Sequence, residues 1–178
     1  VSSNIYFYTI GGGHGGQPGL GPSRIKKYLD LYGFSNKTGI DLPGEVKGFV
    51  PTREWKKETK GEGWYTGDNY NISIGQGDLL VTPVWLNTYI GAIANGGKLM
   101  RPYILKEIQD ASGQVVESKN SEVIGELPFS QVEMDVVRAG MRQAVLSGTA
   151  TLLQDLPVPM AAKTGTAQVT GRGLNSLF

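Results

Sequence analysis

Cysteine is absent from the 178 residues. That excludes disulfide frameworks, zinc ribbons and thiol nucleophiles together, and leaves the redox compartment undecided. Histidine is nearly absent too. His14 is the single one, so a Ser-His-Asp triad or a multi-histidine metal site would have to rest on that residue alone. Charge of either sign is not in excess. A formal net charge of +1 points to neither a nucleic-acid partner nor an acidic lipid surface. No run approaches the roughly 18 consecutive apolar residues of a membrane span, and the first residues lack the charged-then-apolar pattern of a signal peptide. Nothing calls for a metal or an organic cofactor.

What is present is globular. Hydrophobic residues make up 39% and charged residues 19%, and the length is enough for one domain with a core. Glycine is the outlier, at 26 of 178 residues, about twice the usual share of roughly 7%. The glycines cluster at Gly11 to Gly16, Gly61 to Gly63, Gly75 to Gly77 and Gly96-Gly97. Such clusters read as sharp turns and close backbone approaches more than as a flexible linker.

Along the chain, Ile5 to Ile10 is a short apolar run with the character of a buried strand or a buried helical turn. Pro22 stands near a helix start, followed by Ile25, Tyr28, Leu29 and Tyr32 at helical spacing, with Gly33 as a stop. Ser35 to Asn71 is irregular and polar, the kind of long connection that lines or covers a site. Thr82-Pro83 predicts an N-cap and first helical residue. Leu86, Tyr89, Ile90, Ile93 and Ala94 are its expected buried face, and Asn95-Gly96-Gly97 its end. Leu99 to Ile108 and Gln114 to Glu117 read as two strands joined by an Asp110 to Gly113 hairpin loop. Ser130 and Glu133 form a capping box for a second long helix, with Val132, Val136, Val137, Met141, Ala144 and Val145 as its expected core face. Gly148-Thr149-Ala150 begins a further short helix. Met160 to Val169 reads as a strand, with Asn175 to Phe178 starting its hairpin partner.

Several motif matches fail on context. Lys163-Thr164 resembles the end of a phosphate-binding Walker loop, but Ala162 and Pro157 occupy the places where that loop needs glycine. Gly11 to Gly16 satisfies G-x-G-x-x-G formally and lacks the βαβ surroundings that give the motif meaning. His14 within it reads as a solvated loop residue. The sequons at Asn36 and Asn71 are of a kind that arises often by chance.

The remaining constellation is Ser2-Ser3-Asn4 at one end and Lys163-Thr164-Gly165-Thr166 at the other. A strand lysine followed by small hydroxyl and glycine residues can hold a carboxylate. Lys163 supplies positive field, Thr164 and Thr166 supply hydroxyl donors, and Gly165 lets a substrate backbone lie close. The backbone N–H of Thr166 can serve half of an oxyanion hole, and Ser2 and Asn4 can supply a relaying hydroxyl and a gripping amide. Either short motif alone is outweighed by the bland reading of a strand end entering a turn.

Between these two motifs lie Leu42-Pro43-Gly44-Glu45, Ile74-Gly75-Gln76-Gly77 with Thr82-Pro83, Ala92 to Gly97 with Arg101-Pro102, and Gly148-Thr149-Ala150. In this order and spacing the chain resembles the transpeptidase domain of class B penicillin-binding proteins, most closely the elongation-type members. The resemblance covers nearly all 178 residues. It implies an α+β fold, an antiparallel sheet flanked by helices with an all-helical lobe, which would be incomplete in this chain. The family's nucleophile motif, S-x-x-K, is expected upstream of Ser2, and its last strand and C-terminal helix after Phe178. Residues 1–178 are thus expected to be one partial transpeptidase domain, without the nucleophile and inactive alone.

The resemblance further implies serine acyl-enzyme cross-linking of D-Ala-D-Ala stem peptides, with β-lactam antibiotics as mimics of the stem. In it Ser2, Asn4 and Lys163 would be catalytic, and Thr164, Gly165 and Thr166 would bind substrate. Cell-wall elongation machinery including a glycosyltransferase would be the partner. The location would be the bacterial inner membrane, anchored by a segment outside these residues, with the domain on its periplasmic face. Two other readings share the motifs: a D,D-carboxypeptidase or β-lactamase, and a non-catalytic β-lactam sensor or scaffold. Ala162, where the family often has glycine, is a small departure.

Overall fold

The structure, a computed structural model, describes residues 2–168 and 174–177. In chain order the elements are α1 (Asn4–Gly12), α2 (Gly21–Leu31), α3 (Arg53–Lys60), α4 (Thr66–Ser73), α5 (Pro83–Ala94), β1 (Lys98–Met100), β2 (Glu107–Gln109), β3 (Val115–Ser118), β4 (Val123–Glu126), α6 (Gln131–Ser147), a 3-10 turn at Thr151–Leu153, β5 (Gly165–Gln168) and β6 (Leu174–Leu177). The class is α+β. Among the described residues the strands pair only antiparallel, as β1 with β4, β2 with β3 and β5 with β6. Two compact units divide the chain. One comprises Val1–Lys27, Pro51–Leu79 and Ser130–Phe178, the other Tyr28–Val50 and Leu80–Phe129.

In the first unit α1 packs against α4. The run Ile5 to Ile10 is helical, and the expectation that it is buried fails at its start: Ile5 is 79% exposed, and Tyr6 and Phe7 are exposed too. Burial falls instead on the glycine end. A Cβ on Gly11 would lie 1.5 Å from Ser73 Oγ, and one on Gly12 would lie 2.2 Å from the Tyr70 ring. Glycine there lets the Ser73 and Tyr70 side chains of α4 pack directly on the backbone of α1. The Tyr70 hydroxyl donates to the Gly13 carbonyl at 3.1 Å, and His14 and Gln17 exchange backbone bonds around the following turn. The glycine tract therefore ends a helix, whereas a dinucleotide loop would follow a strand.

Helix α3 and most of α4 lie inside Ser35 to Asn71, the stretch read as irregular. Neither has an apolar stripe that sequence pattern would find. α3 is built almost wholly of charged residues, and it exists through its ends: Thr52 Oγ1 accepts from the Trp55 N–H at 3.1 Å, and Gly61 closes it in the left-handed region. At the start of α4 the Asp68 carboxylate accepts from the Tyr65 N–H and from Lys56 Nζ, each at 2.7 Å. The Lys56 chain is buried beneath the Tyr65 ring, 4.8 Å from its centroid.

α6 has the expected capping box, Ser130 with Glu133. Its expected core face holds at Ala144 and Val145, which are buried together with Met134, and is corrected at Val132, Val136 and Val137, which are exposed. Helical spacing identifies a face, and only neighbours decide which face is covered.

The second unit is centred on α5. Thr82 caps it through the Trp85 N–H at 3.3 Å, and Asn95 ends it. Its buried side is Trp85, Thr88, Ala92 and Ile93; Ile90 and Ala94, expected inside, face out. Tyr32, Phe34, Tyr89 and Phe129 form a ring cluster with centroids 4.9 to 6.4 Å apart. Burial pushes the Tyr32 phenol up to about 12, with the neighbouring tyrosines adding to it. The expected single strand Leu99 to Ile108 is instead two, β1 and β2, separated at Arg101-Pro102. Proline cannot donate to a ladder, and Arg101 pairs with Glu122 at 2.7 Å. The hairpin loop forms as expected, with Asp110 accepting from the N–H groups of Ser112 and Gln114.

Leu42 to Glu45 acquires a physical role here. The Glu45 carboxylate accepts from the Thr38 N–H and the Thr38 hydroxyl, each at 2.6 Å, and from the Gly39 N–H at 3.0 Å. Desolvation opposes these bonds, yet they hold its carboxyl below the usual range. Gly44, at φ +78°, makes the turn that brings it back.

No helix among the described residues is long and apolar enough to cross a membrane.

Candidate active site

The first unit brings Ser2 and Lys163 together. Ser3 is the N-cap of α1: its backbone is extended, and its Oγ accepts from the Tyr6 N–H at 3.4 Å. That fixes Ser2 immediately ahead of the helix and Asn4 at its first position. Lys163 Nζ donates to Ser2 Oγ at 2.7 Å, across 161 residues of chain, and to its neighbour's carbonyl, Thr164 O, at 2.6 Å. An ammonium has only donors, so Ser2 must accept, and its own hydrogen remains available to a third group.

Residues 160–164, expected as strand, carry no strand pairing. They are held by α6: the Ala162 N–H donates to the Met141 carbonyl at 3.0 Å, and Arg142 donates to the Met160 carbonyl at 2.6 Å. Strand β5 begins only at Gly165. Within it Gly165 lies opposite Leu177 and Thr166 opposite Ser176; Val169 and Phe178, expected in the hairpin, lie outside the described residues. Asn4 is exposed and makes no bond to Ser2 or Lys163. The placement thus couples Ser2, Lys163 and Thr164 directly, puts Gly165 and Thr166 on the adjoining strand, and leaves Asn4 beside them at the helix start.

Two further side chains reach this segment and were given no role by the sequence. Thr149 Oγ1 lies 3.2 Å from Thr164 Oγ1. Gln76 Nε2 donates to the Thr166 carbonyl at 3.4 Å. Both belong to short blocks whose order carried the family resemblance, and only that order could have flagged them. Ser23-Arg24-Ile25-Lys26 is a formal Ser-x-x-Lys match, but it follows Ser2 in sequence and sits on α2 with Ser23 exposed. Among the described residues no group of three or more His, Asp or Glu is placed to hold a metal ion.

The sequence profile described as the penicillin binding protein transpeptidase domain matches residues 1–177. This chain belongs to that family. The peptidoglycan D,D-transpeptidase MrdA of Acinetobacter baumannii is 32% identical over 171 residues, 95% of this chain and 24% of that protein. Among solved structures, Pseudomonas aeruginosa PBP2 in complex with WCK 5153 is 32% identical with a TM-score of 0.72, over 93% of this chain and 36% of that one. The complex between PBP2 and MreC from Helicobacter pylori matches with 30% identity and a TM-score of 0.72, over 93% of this chain and 29% of that one. These relatives place the chain with the class B, elongation-type members. It spans about a quarter of the length of the curated relatives it matches.

Proposed function

We propose that this segment is the carboxylate-binding and proton-relaying wall of a peptidoglycan D,D-transpeptidase. The observation that carries the reading is the Lys163 Nζ–Ser2 Oγ bond. In the reaction, a Ser-x-x-Lys serine from outside these 178 residues attacks the carbonyl between the two D-alanines of a stem peptide. The serine's proton is passed by way of Ser2 to the nitrogen as the C–N bond breaks and D-alanine leaves. An amine of a neighbouring stem then takes the acyl group, and the proton that amine loses returns to the released serine oxygen.

Ser2 suits the relay. The lysine donates to its oxygen, so its hydrogen points away, toward the departing nitrogen, and the ammonium stabilises the oxygen as that proton leaves. Lys163, with the Thr164 and Thr166 hydroxyls, binds the terminal carboxylate. Asn4 grips the acyl-side amide, and the Thr166 N–H takes part of the oxyanion, a contribution of about 3 kcal/mol in such sites. Gly165 admits the substrate backbone. β-Lactams bind at the same residues. The partners are stem peptides and cell-wall elongation machinery with a glycosyltransferase, at the bacterial inner membrane, with an anchor outside these residues and this domain on the periplasmic face.

Labelling of the intact protein with a fluorescent penicillin, followed by mapping of the acylated peptide, tests this. The expected adduct lies on a serine outside these 178 residues and persists. Rapid hydrolysis of the adduct would favour the carboxypeptidase or β-lactamase reading, and no adduct would favour a scaffold.

A further inference from the structure

The block Gly148-Thr149-Ala150 follows α6, and each of its residues has a different physical reason to be what it is. Gly148 lies flush against the helix it leaves: a Cβ there would stand 2.7 Å from Ala144 Cα and 3.0 Å from the Ala144 carbonyl oxygen. Backbone atoms cannot yield as a side chain can, so any larger residue would push the turn off the helix. Ala150 is buried, and its N–H donates to the Ala144 carbonyl at 2.9 Å. Together they fold the chain back over the last turn of α6. The same helix holds the segment entering Lys163, through Ala162 to Met141 and Arg142 to Met160. One helix therefore fixes both partners of the Thr149–Thr164 contact.

Thr149, between those two anchors, is exposed, and its hydroxyl meets that of Thr164 at 3.2 Å. A threonine hydroxyl has one hydrogen. If Thr164 gives its hydrogen to Thr149, none remains for a ligand; if Thr149 donates, the Thr164 hydrogen is free. An anion beside Lys163 draws hydrogens toward itself and so selects the second arrangement.

We infer that Thr149 is a positioning residue for carboxylate recognition: its hydroxyl donates to Thr164 Oγ1 and thereby turns the Thr164 hydrogen toward the carboxylate of the ligand. The inference rests on the acyl-transfer reading above, in which Thr164 meets that carboxylate. It gives Gly148-Thr149-Ala150 a part in specificity as well as in shape.

Thr149→Val keeps the shape and removes the hydroxyl, whereas Thr149→Ser keeps the hydroxyl. The readout is the second-order acylation rate of the intact protein by a penicillin and by its methyl ester, which lacks the anionic carboxylate. Thr149→Val is expected to slow acylation by the acid about tenfold, the scale of one net hydrogen bond, and to leave the ester rate within about twofold, so that acid-over-ester selectivity falls about tenfold. Thr149→Ser is expected to restore the acid rate. Equal slowing of acid and ester, or no change in either while the wild type is acylated, overturns the inference and leaves the acyl-transfer reading standing. A wild-type protein that penicillin does not acylate overturns both.

Discussion

Replacing Glu45 by alanine should destabilise the second unit by about 3 kcal/mol, and the figure follows from three donors. Glu45 accepts from the Thr38 N–H, the Thr38 hydroxyl and the Gly39 N–H. Thr38 is 2% exposed, so neither of its hydrogens has water to turn to. Each orphaned buried donor costs about 1–3 kcal/mol, so the lower half of that range for the pair gives roughly 3 kcal/mol. The Gly39 bond is solvent-facing and adds little. Thr38→Val removes the hydroxyl while keeping the shape, so Glu45→Ala should cost about 1–2 kcal/mol less in that background, where one orphan remains. The assay is urea unfolding followed by fluorescence of Trp85, buried in the same unit, with Trp55 and Trp64 replaced by phenylalanine. A shift below about 0.5 kcal/mol, or equal costs in the two backgrounds, would refute the reasoning.

The same carboxylate sets a pH dependence. Its folded pKa lies below the ordinary glutamate value of 4.5. Its stabilisation is therefore present above pH 4.5 and is lost as pH falls through the folded value; Glu45→Gln should flatten that acid limb of the stability curve. At the other extreme Tyr32 is raised from 10.0 to about 12. The stabilisation of its neutral form is complete below pH 10 and declines between 10 and 12, so Tyr32→Phe should reduce the alkaline loss measured by the same unfolding assay. Gly19→Ala should destabilise the α1 end by about 3 kcal/mol or more, measured as a fall in melting temperature, because its Cβ would stand 2.4 Å from backbone atoms of Gly12 and Gly13. The isolated 178-residue chain should not be acylated by fluorescent penicillin. Label on Ser23 would show instead that its out-of-order Ser-x-x-Lys is reactive.

Sequence legibility followed the local physics. The capped helices α5 and α6 announce themselves, because Thr82-Pro83 and Ser130 with Glu133 act over three residues. The Asp110 to Gly113 loop is equally local. α3 and α4 were illegible, since caps and a Lys56–Asp68 bridge hold them without an apolar stripe. Faces misled where burial depends on distant neighbours: Val132 and Val136 have helical spacing and lie exposed, while Ala144 and Val145 are buried. At the site, Ser2 and Lys163 were legible only through the ordered blocks of a family resemblance, because nothing local joins residues 161 positions apart. Thr149 and Gln76 stood within those blocks, but their partners on residues 164–166 are set by tertiary folding.

The central claim is that Ser2 and Lys163 act as one unit. A double-mutant cycle on the penicillin acylation rate of the intact protein tests it most directly, using Ser2→Ala, Lys163→Ala and the pair. The account predicts that each single substitution slows acylation at least about a hundredfold and that the double variant is scarcely slower than either, as for coupled catalytic groups. Effects that multiply, or a Lys163→Ala protein acylated at the wild-type rate, would contradict it.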